Sequence, residues 1–301
     1  MNTNLTKISD VVLDFDGTCT QIQVIYQAYL NDYFQNLIDF LQVNYADVSI
    51  TSDEWQAAQQ QIREHSPSAG WMLAGCPSAP AAADPYILAD ESAKFLLRKK
   101  EIYVSIPADI NARAYAANPA PWRDDVYETI NRLIENGIDI HFVSNSGTKM
   151  INGRLQELFE GVAGVPKKIN VQSDAAKFKI CELAWDNETV AKDNRILFNC
   201  LAPVAWGNHE SVTRPIYIRR GAYFEAICKV FNNNLQKLKS TVFCGDIWEM
   251  DLAMPHALGA NVHLLDRAHP FETYNFELKA VSNYGNFGKS GKNFSSLLEW
   301  L

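Results

Sequence analysis

A doubly wound α/β fold, a parallel sheet covered by helices and interrupted by a mainly helical insertion, is predicted by three features of the 301-residue sequence. Short β-branched, apolar runs end abruptly in polar loops at Val11-Val12-Leu13, Ile138 to Val143, Thr241 to Cys244 and Asn261 to Leu265. Stretches of helical period separate the later runs, which implies right-handed βαβ crossovers and a sheet buried on both faces. Between the first run and the second lie roughly 100 residues without such a unit, too many for a structureless loop in a compact domain. A Rossmann-like core over 1–20 and 120–301 is therefore expected, with a helical subdomain over 21–119.

The elements follow in order. Val11 to Leu13 reads as a buried parallel strand feeding the loop Asp14-Phe15-Asp16-Gly17-Thr18. In the insertion, Tyr26, Tyr29, Leu30, Tyr33, Phe34, Leu37 and Phe40 mark one apolar helical stripe and Trp55, Ala58 and Ile62 a second. The segment Ser66 to Asp84, rich in Pro, Gly and Ala, reads as a loop. Tyr86 to Leu97 and Ile106 to Ala117 supply two more helices. Back in the core, Val126, Ile130, Leu133 and Ile134 share a helix face, with Asp124 and Asp125 at its start and Gly137 as its stop. The strand after it ends in Ser144-Asn145-Ser146-Gly147. Asn170 to Arg220, with Trp185, Trp206 and the polar run Gly207-Asn208-His209-Glu210, reads as an elaborated loop region. A helix around Tyr223 to Phe231 precedes the strand that ends in Gly245-Asp246, and a helical stretch around Leu252 to Leu258 precedes the last run.

Composition excludes several classes. At 47% hydrophobic and 21% charged residues the chain should fold. A formal net charge of -8 gives no support to the counterion release that drives nucleic-acid binding, so no nucleic-acid partner is expected, although a local pocket for one phosphate remains open. The six cysteines are scattered, without a CxxC pair, and read as reduced thiols. Met1 to Asp10 is polar, and no stretch approaches the roughly 20 apolar residues that span a bilayer. A cytoplasmic protein without membrane attachment is expected; the oligomeric state is left open.

Chemistry should gather at the carboxyl ends of the strands. Asp14 and Asp16, two apart in a tight loop with Gly17 and Thr18, could ligate a hard cation through oxygen and present a carboxylate nucleophile beside it. VVLDFDGT, Val11 to Thr18, resembles the first motif of the haloacid dehalogenase-like (HAD) superfamily in its phosphatase form. Ser144 matches the second motif, whose hydroxyl binds the transferring phosphoryl group, with Asn145 beside it. GDIWEMD, with Asp246 and Asp251, matches the fourth, an acidic pair that holds magnesium. For the third motif, a basic residue, no Lys falls where the family places it. Arg220 is the choice, with Arg214 and Arg219 as alternatives.

The resemblance implies a magnesium-dependent phosphatase acting on a small phosphorylated metabolite. Magnesium would bridge the Asp14 carboxylate, the Asp16 carbonyl and the Asp246 carboxylate, and Asp251 would orient this set. Asp14 would attack phosphorus and form an aspartyl phosphate, with Asp16 as general acid and then base. Thr18, Ser144, Asn145 and Arg220 would bind the phosphoryl oxygens. The presence of Asp16 argues against the dehalogenases, because a halide leaving group needs no proton. The insertion occupies the place of the family's type 1 helical cap. Tyr26, Trp71, Arg98, Lys99 and Lys100 are its candidates for substrate contact, each more simply read as a packed aromatic or a solvated cation. Two other readings stand beside this one: a sugar phosphomutase of the β-phosphoglucomutase type, and a catalytically silent scaffold.

Overall fold

The sheet is built outward from the first β-branched run. In the computed structural model, which describes residues 7–161, 164–205 and 212–301, β1 (Asp10–Leu13) is buried along its whole length. The chain then leaves the sheet through α1 (Ile22–Asn44), α2 (Ser52–His65), the hairpin β2 (Gly70–Leu73) and β3 (Cys76–Pro80), α3 (Pro85–Lys99) and α4 (Ala108–Ala117). It returns with α5 (Val126–Glu135), β4 (Asp139–Val143), α6 (Thr148–Leu158) and β5 (Ile169–Gln172). A long connection follows, carrying α7 (Lys192–Asn199) and the two-residue strands β6 (Val204–Ala205) and β7 (Ile216–Tyr217). The pattern resumes with α8 (Gly221–Val230), β8 (Thr241–Gly245), a π-helical turn over Trp248–Leu252 that runs into α9 (Ala253–Ala257), β9 (Asn261–Leu265), α10 (Asn275–Ser282) and β10 (Gly288–Gly291).

Six strands form one parallel sheet in the order β10-β9-β8-β1-β4-β5. From β1 the chain builds to one side through β4 and β5, then crosses to the other side for β8, β9 and β10. Strand order thus reverses at β1, and a crevice opens beyond the carboxyl ends of β1 and its neighbours. Side-chain alternation feeds both faces of the sheet. Val12 joins the core cluster built on α8, β8 and β9, whereas Val11 and Leu13 join the one built on α5, α6 and β4.

The insertion has its own apolar interior, in which Tyr29, Tyr33, Leu37 and Leu41 of α1 meet Trp55, Ala58 and Ile62 of α2. Both predicted stripes supply this core. Thr51 and Glu54 cap α2 reciprocally, which satisfies its first free N–H groups. Phe271, from the loop after β9, plugs into the same interior, and Arg63 of α2 donates to the Pro270 carbonyl at 2.8 Å.

Three expectations differ from the structure. Ser66 to Asp84 holds a hairpin: Ala74 and Gly75 take φ of 48° and 82°, the left-handed pair of a two-residue turn, while prolines beside and within the strands disguise it. β5 and β10 are short edge strands, and Gly-Lys-Ser-Gly in β10 carries no apolar pattern at all. The connection from Asn170 to Arg220 contains β5, a helix and a small antiparallel pair rather than loop alone. Met1 to Thr6, Trp206 and the run Gly207-Asn208-His209-Glu210 lie outside the described residues. Among the described residues no helix is long and apolar enough to cross a membrane.

Candidate active site

Adjacent parallel strands set the spacing of the site. Leu13 pairs with Cys244 across the β1–β8 ladder and with Phe142 across β1–β4, so the loops after all three strands open side by side. Asp14 extends the ladder by one bond, its N–H donating to the Cys244 carbonyl at 2.9 Å. Gly17 then turns the chain at φ +80°, and a Cβ there would stand 2.4 Å from Asp246 Oδ2. Only glycine admits both the backbone angle and this approach. Arg123 fixes the turn from behind, donating to the Gly17 carbonyl at 2.7 Å.

The carboxylates have separate partners. Asp14 Oδ1 accepts from Lys177 Nζ at 2.5 Å, and the same ammonium lies 2.7 Å from Asp251 Oδ1. Asp251 Oδ2 accepts from the Ile247 N–H at 3.1 Å. Asp16 accepts from Ser146 Oγ at 2.6 Å, and the Tyr115 hydroxyl lies 3.0 Å from both its oxygens. The Thr18 hydroxyl stands between Asp14 Oδ2, at 3.3 Å, and Asp246 Oδ1, at 3.2 Å. Asp246 Oδ2 is buried and has no hydrogen-bond partner among the described residues. Arg267, ion-paired with Glu277, holds the Asp246 carbonyl and so sets the loop after β8.

Asp14, Asp246 and Asp251 each offer an oxygen within 4.8 Å of the others. An all-oxygen donor set with one orphaned carboxylate oxygen is what a hard divalent cation requires, so the residues suit a metal. The Asp16 carboxylate is engaged by Ser146 and Tyr115 and is not part of this trio. Asp251 has both oxygens engaged by Lys177 and the Ile247 N–H, so it supports the cluster from behind.

Charge follows from this arrangement. Burial pushes the Asp16 carboxyl above the ordinary carboxylate range, against the hydrogen bonds from Ser146 and Tyr115. Burial raises Asp14 as well, with Lys177 pulling it back and Asp251 adding repulsion. Asp246 lies well above its usual range through burial and the neighbouring Asp251. Lys177 is fully buried, which alone would favour its neutral form, but Asp14 and Asp251 hold its pKa above the usual value and keep it charged.

Ser144 and Asn145 line a cavity of about 350 Å³ together with Asp14, Asp16 and Asp246. The Ser146 N–H donates to Ser144 Oγ at 3.1 Å, and the Lys177 N–H donates to Asn145 Oδ1 at 2.7 Å. Two expected phosphate ligands are corrected. Arg220 is fully buried, and its guanidinium donates to the Ser78 hydroxyl at 3.0 Å and to the carbonyls of Lys177 and Ser78, each at 2.6 Å. These partners occupy both terminal nitrogens of its fork. Thr18 is also fully buried, and its hydroxyl is turned between two carboxylates rather than into the cavity. Neither alternative arginine substitutes: Arg214 pairs with Glu249, and Arg219 with Glu182 and two carbonyls.

Lys177, and none of the three arginines, contacts Asp14; sequence reasoning missed it along with Ser146 and Tyr115. It lies in Ser173-Asp174-Ala175-Ala176-Lys177, just after β5, where Asp174 and Ala176 take φ of 52° and 45° and curl the chain back toward the sheet edge. Recognising Ile169 to Gln172 as a strand would have placed this loop beside the others. Of the proposed substrate contacts, Trp71 lines the cavity. Tyr26 packs on Phe271 and Lys100 pairs with Glu54, while Arg98 and Lys99 are not among the residues lining it.

No family model matches the chain, and no curated protein matches it. Solved structures similar to it over nearly its whole length are HAD-like hydrolases. A predicted phosphoglycolate phosphatase from Haemophilus somnus is 14% identical, with 98% of this chain and 99% of that one covered and a TM-score of 0.47. The HAD-hydrolase YfnB from Bacillus subtilis, bound to magnesium, is 12% identical, with 98% of each chain covered and a TM-score of 0.48. A structure described as a dehalogenase is 15% identical, with 100% and 98% covered and a TM-score of 0.44. What the site can do chemically therefore rests on its own residues.

Proposed function

We propose that the chain is a HAD-type phosphatase that hydrolyses a small phosphorylated metabolite through an aspartyl phosphate on Asp14. One observation carries this reading: a carboxylate at the end of a central strand is clamped by a buried lysine that a second carboxylate also holds, beside an Asp held by Ser146 and Tyr115. Magnesium, held by Asp14, Asp246 and the Asp16 carbonyl with Asp251 behind, would offset the negative charge of the phosphate as it nears Asp14. Lys177 favours the ionised form of Asp14 against the effect of burial and balances charge on the phosphoryl oxygens. Ser144 and Asn145, with the N–H groups of their loop, are placed to bind those oxygens.

In the first half-reaction an Asp14 oxygen forms the bond to phosphorus while the ester P–O bond breaks. Asp16, whose protonated form burial favours, gives its proton to the departing oxygen. In the second, the anionic Asp16 takes a proton from water, which attacks phosphorus and frees Asp14. Tyr115 and Ser146 aim Asp16 for both transfers. A halide would need no such acid, so a dedicated pair of hydrogen bonds on Asp16 supports ester chemistry. A cavity of this size suits a small molecule. All six cysteines are free, in keeping with a cytoplasmic setting.

The test is turnover of 4-nitrophenyl phosphate by the purified chain. Hydrolysis should require magnesium and vanish with a chelator, and Asp14→Asn should abolish it while leaving circular dichroism and the unfolding midpoint near wild type. Wild-type turnover by Asp14→Asn would overturn the assignment of the nucleophile.

A further inference from the structure

We infer that the leaving group of the substrate is aromatic or otherwise apolar and carries no negative charge of its own. The inference rests on the phosphatase reading above and specifies which esters that site accepts. The apolar part of the cavity lining is supplied by Trp71, Tyr86, Ile87, Phe178, Ile247 and Met250. The Trp71 and Phe178 rings lie 5.7 Å apart, and Tyr86 meets Tyr115 edge to face at 5.5 Å. Ile247 and Met250, from the loop that carries Asp246, close this apolar surface against Ala79, Ala83 and Ile87 of the insertion. Such a surface rewards carbon and offers little to a polyhydroxylated group.

The same wall offers nothing to an anion. Among the described residues that line the cavity there is no Lys, Arg or His. Nearby cations are already engaged: Lys177 by Asp14 and Asp251, Arg214 by Glu249, Arg267 by Glu277. Asp84 stands on the wall itself, its Oδ1 accepting from the Ile87 N–H at 2.6 Å as the cap of α3. A carboxylate or second phosphate on the leaving group would lie among Asp84, Asp16 and aromatic rings, desolvated and without a counter-charge. Besides Asp84, the polar side chains on this side of the cavity are uncharged: Tyr86, Asn111 and Tyr115. The Tyr86 hydroxyl is buried without a hydrogen-bond partner among the described residues.

A matched set of esters tests this with magnesium present: benzyl phosphate, 4-carboxybenzyl phosphate and methyl phosphate. The two benzylic alcohols leave with similar ease, so they differ in the added charge. Benzyl phosphate should exceed each of the others in kcat/KM by at least about tenfold, with the carboxylate penalty falling chiefly on KM. Asp84→Asn should narrow the gap between the benzylic pair, and Trp71→Ala should narrow the gap between benzyl and methyl phosphate. Turnover of 4-nitrophenyl phosphate with 4-carboxybenzyl phosphate matching or beating benzyl phosphate would overturn the inference alone, as would equal use of methyl phosphate. Failure to hydrolyse any of the four esters would overturn the phosphatase reading beneath it.

Discussion

Lys177 shows how a residue's chemistry is set by what surrounds it rather than by its place in the sequence. Asp14 and Asp16 were legible because their spacing, the preceding strand and Gly17 form one local signal. Lys177 is equally central, yet it follows a short edge strand and two alanines, and its role arises only when the fold brings Asp14 and Asp251 within 2.7 Å of its ammonium. Arg220 erred in the opposite direction: it has the right charge near the right helix, but full burial commits every bond it makes to Ser78 and the Lys177 carbonyl. Lys177→Met tests the assignment. It leaves two buried carboxylates without their cation, so unfolding free energy should fall by about 3–5 kcal/mol in the absence of magnesium. Magnesium should restore more stability to this variant than to wild type, read by urea titration with and without the ion, while kcat falls about 10²- to 10³-fold. A variant with wild-type kcat would remove Lys177 from the site.

At the scale of elements, the hairpin of β2 and β3 joins insertion to core. Ser78 of β3 donates to the Phe178 carbonyl at 2.6 Å and receives Arg220, while Arg214 donates to the Pro67 carbonyl at 3.0 Å and pairs with Glu249, between Asp246 and Asp251. Both arginines thus tie the insertion to the loops that carry Lys177 and Asp251. The helices of the insertion were readable because aromatic stripes repeat at helical period, and the core strands because they are apolar throughout. The hairpin was not, since proline-rich pairing strands look like loop until they meet a partner. Arg220→Gln should release the Lys177 loop without touching substrate. We expect kcat to fall about ten- to a hundredfold with KM little changed, because a small displacement of a charged group is costly in the chemical step. Limited proteolysis should cut faster between residues 173 and 190. Arg219→Gln, whose partners lie outside the site, should behave as wild type; if the two variants matched, the loop would need no such tie.

The whole molecule closes where its last residues return to the sheet, and there the sequence was silent. Phe294, Leu297 and Trp300 complete the core on one face, and Trp300 reaches His263 in β9. Which strands neighbour one another was likewise not readable, because strand order is decided by crossovers and not by any one segment. His263 is fully buried with both nitrogens engaged: Nδ1 accepts from Trp300 Nε1 at 3.1 Å, and Nε2 lies 2.8 Å from Ser296 Oγ, whose own proton goes to the Asn293 carbonyl. Only the neutral ring satisfies this arrangement, since a second proton on Nδ1 would face the indole N–H. Burial, with a smaller push from Lys289, accordingly lowers the imidazole to about 4. A base depressed on folding stabilises the native state above its unfolded value near 6.5, and this contribution is lost as pH falls through 6.5 toward 4. Between pH 7 and pH 5 wild type should therefore lose about 2 kcal/mol that His263→Gln, which does not titrate, retains. Urea unfolding of both proteins at the two pH values measures the difference, and parallel losses would show that the imidazole is not the group responsible.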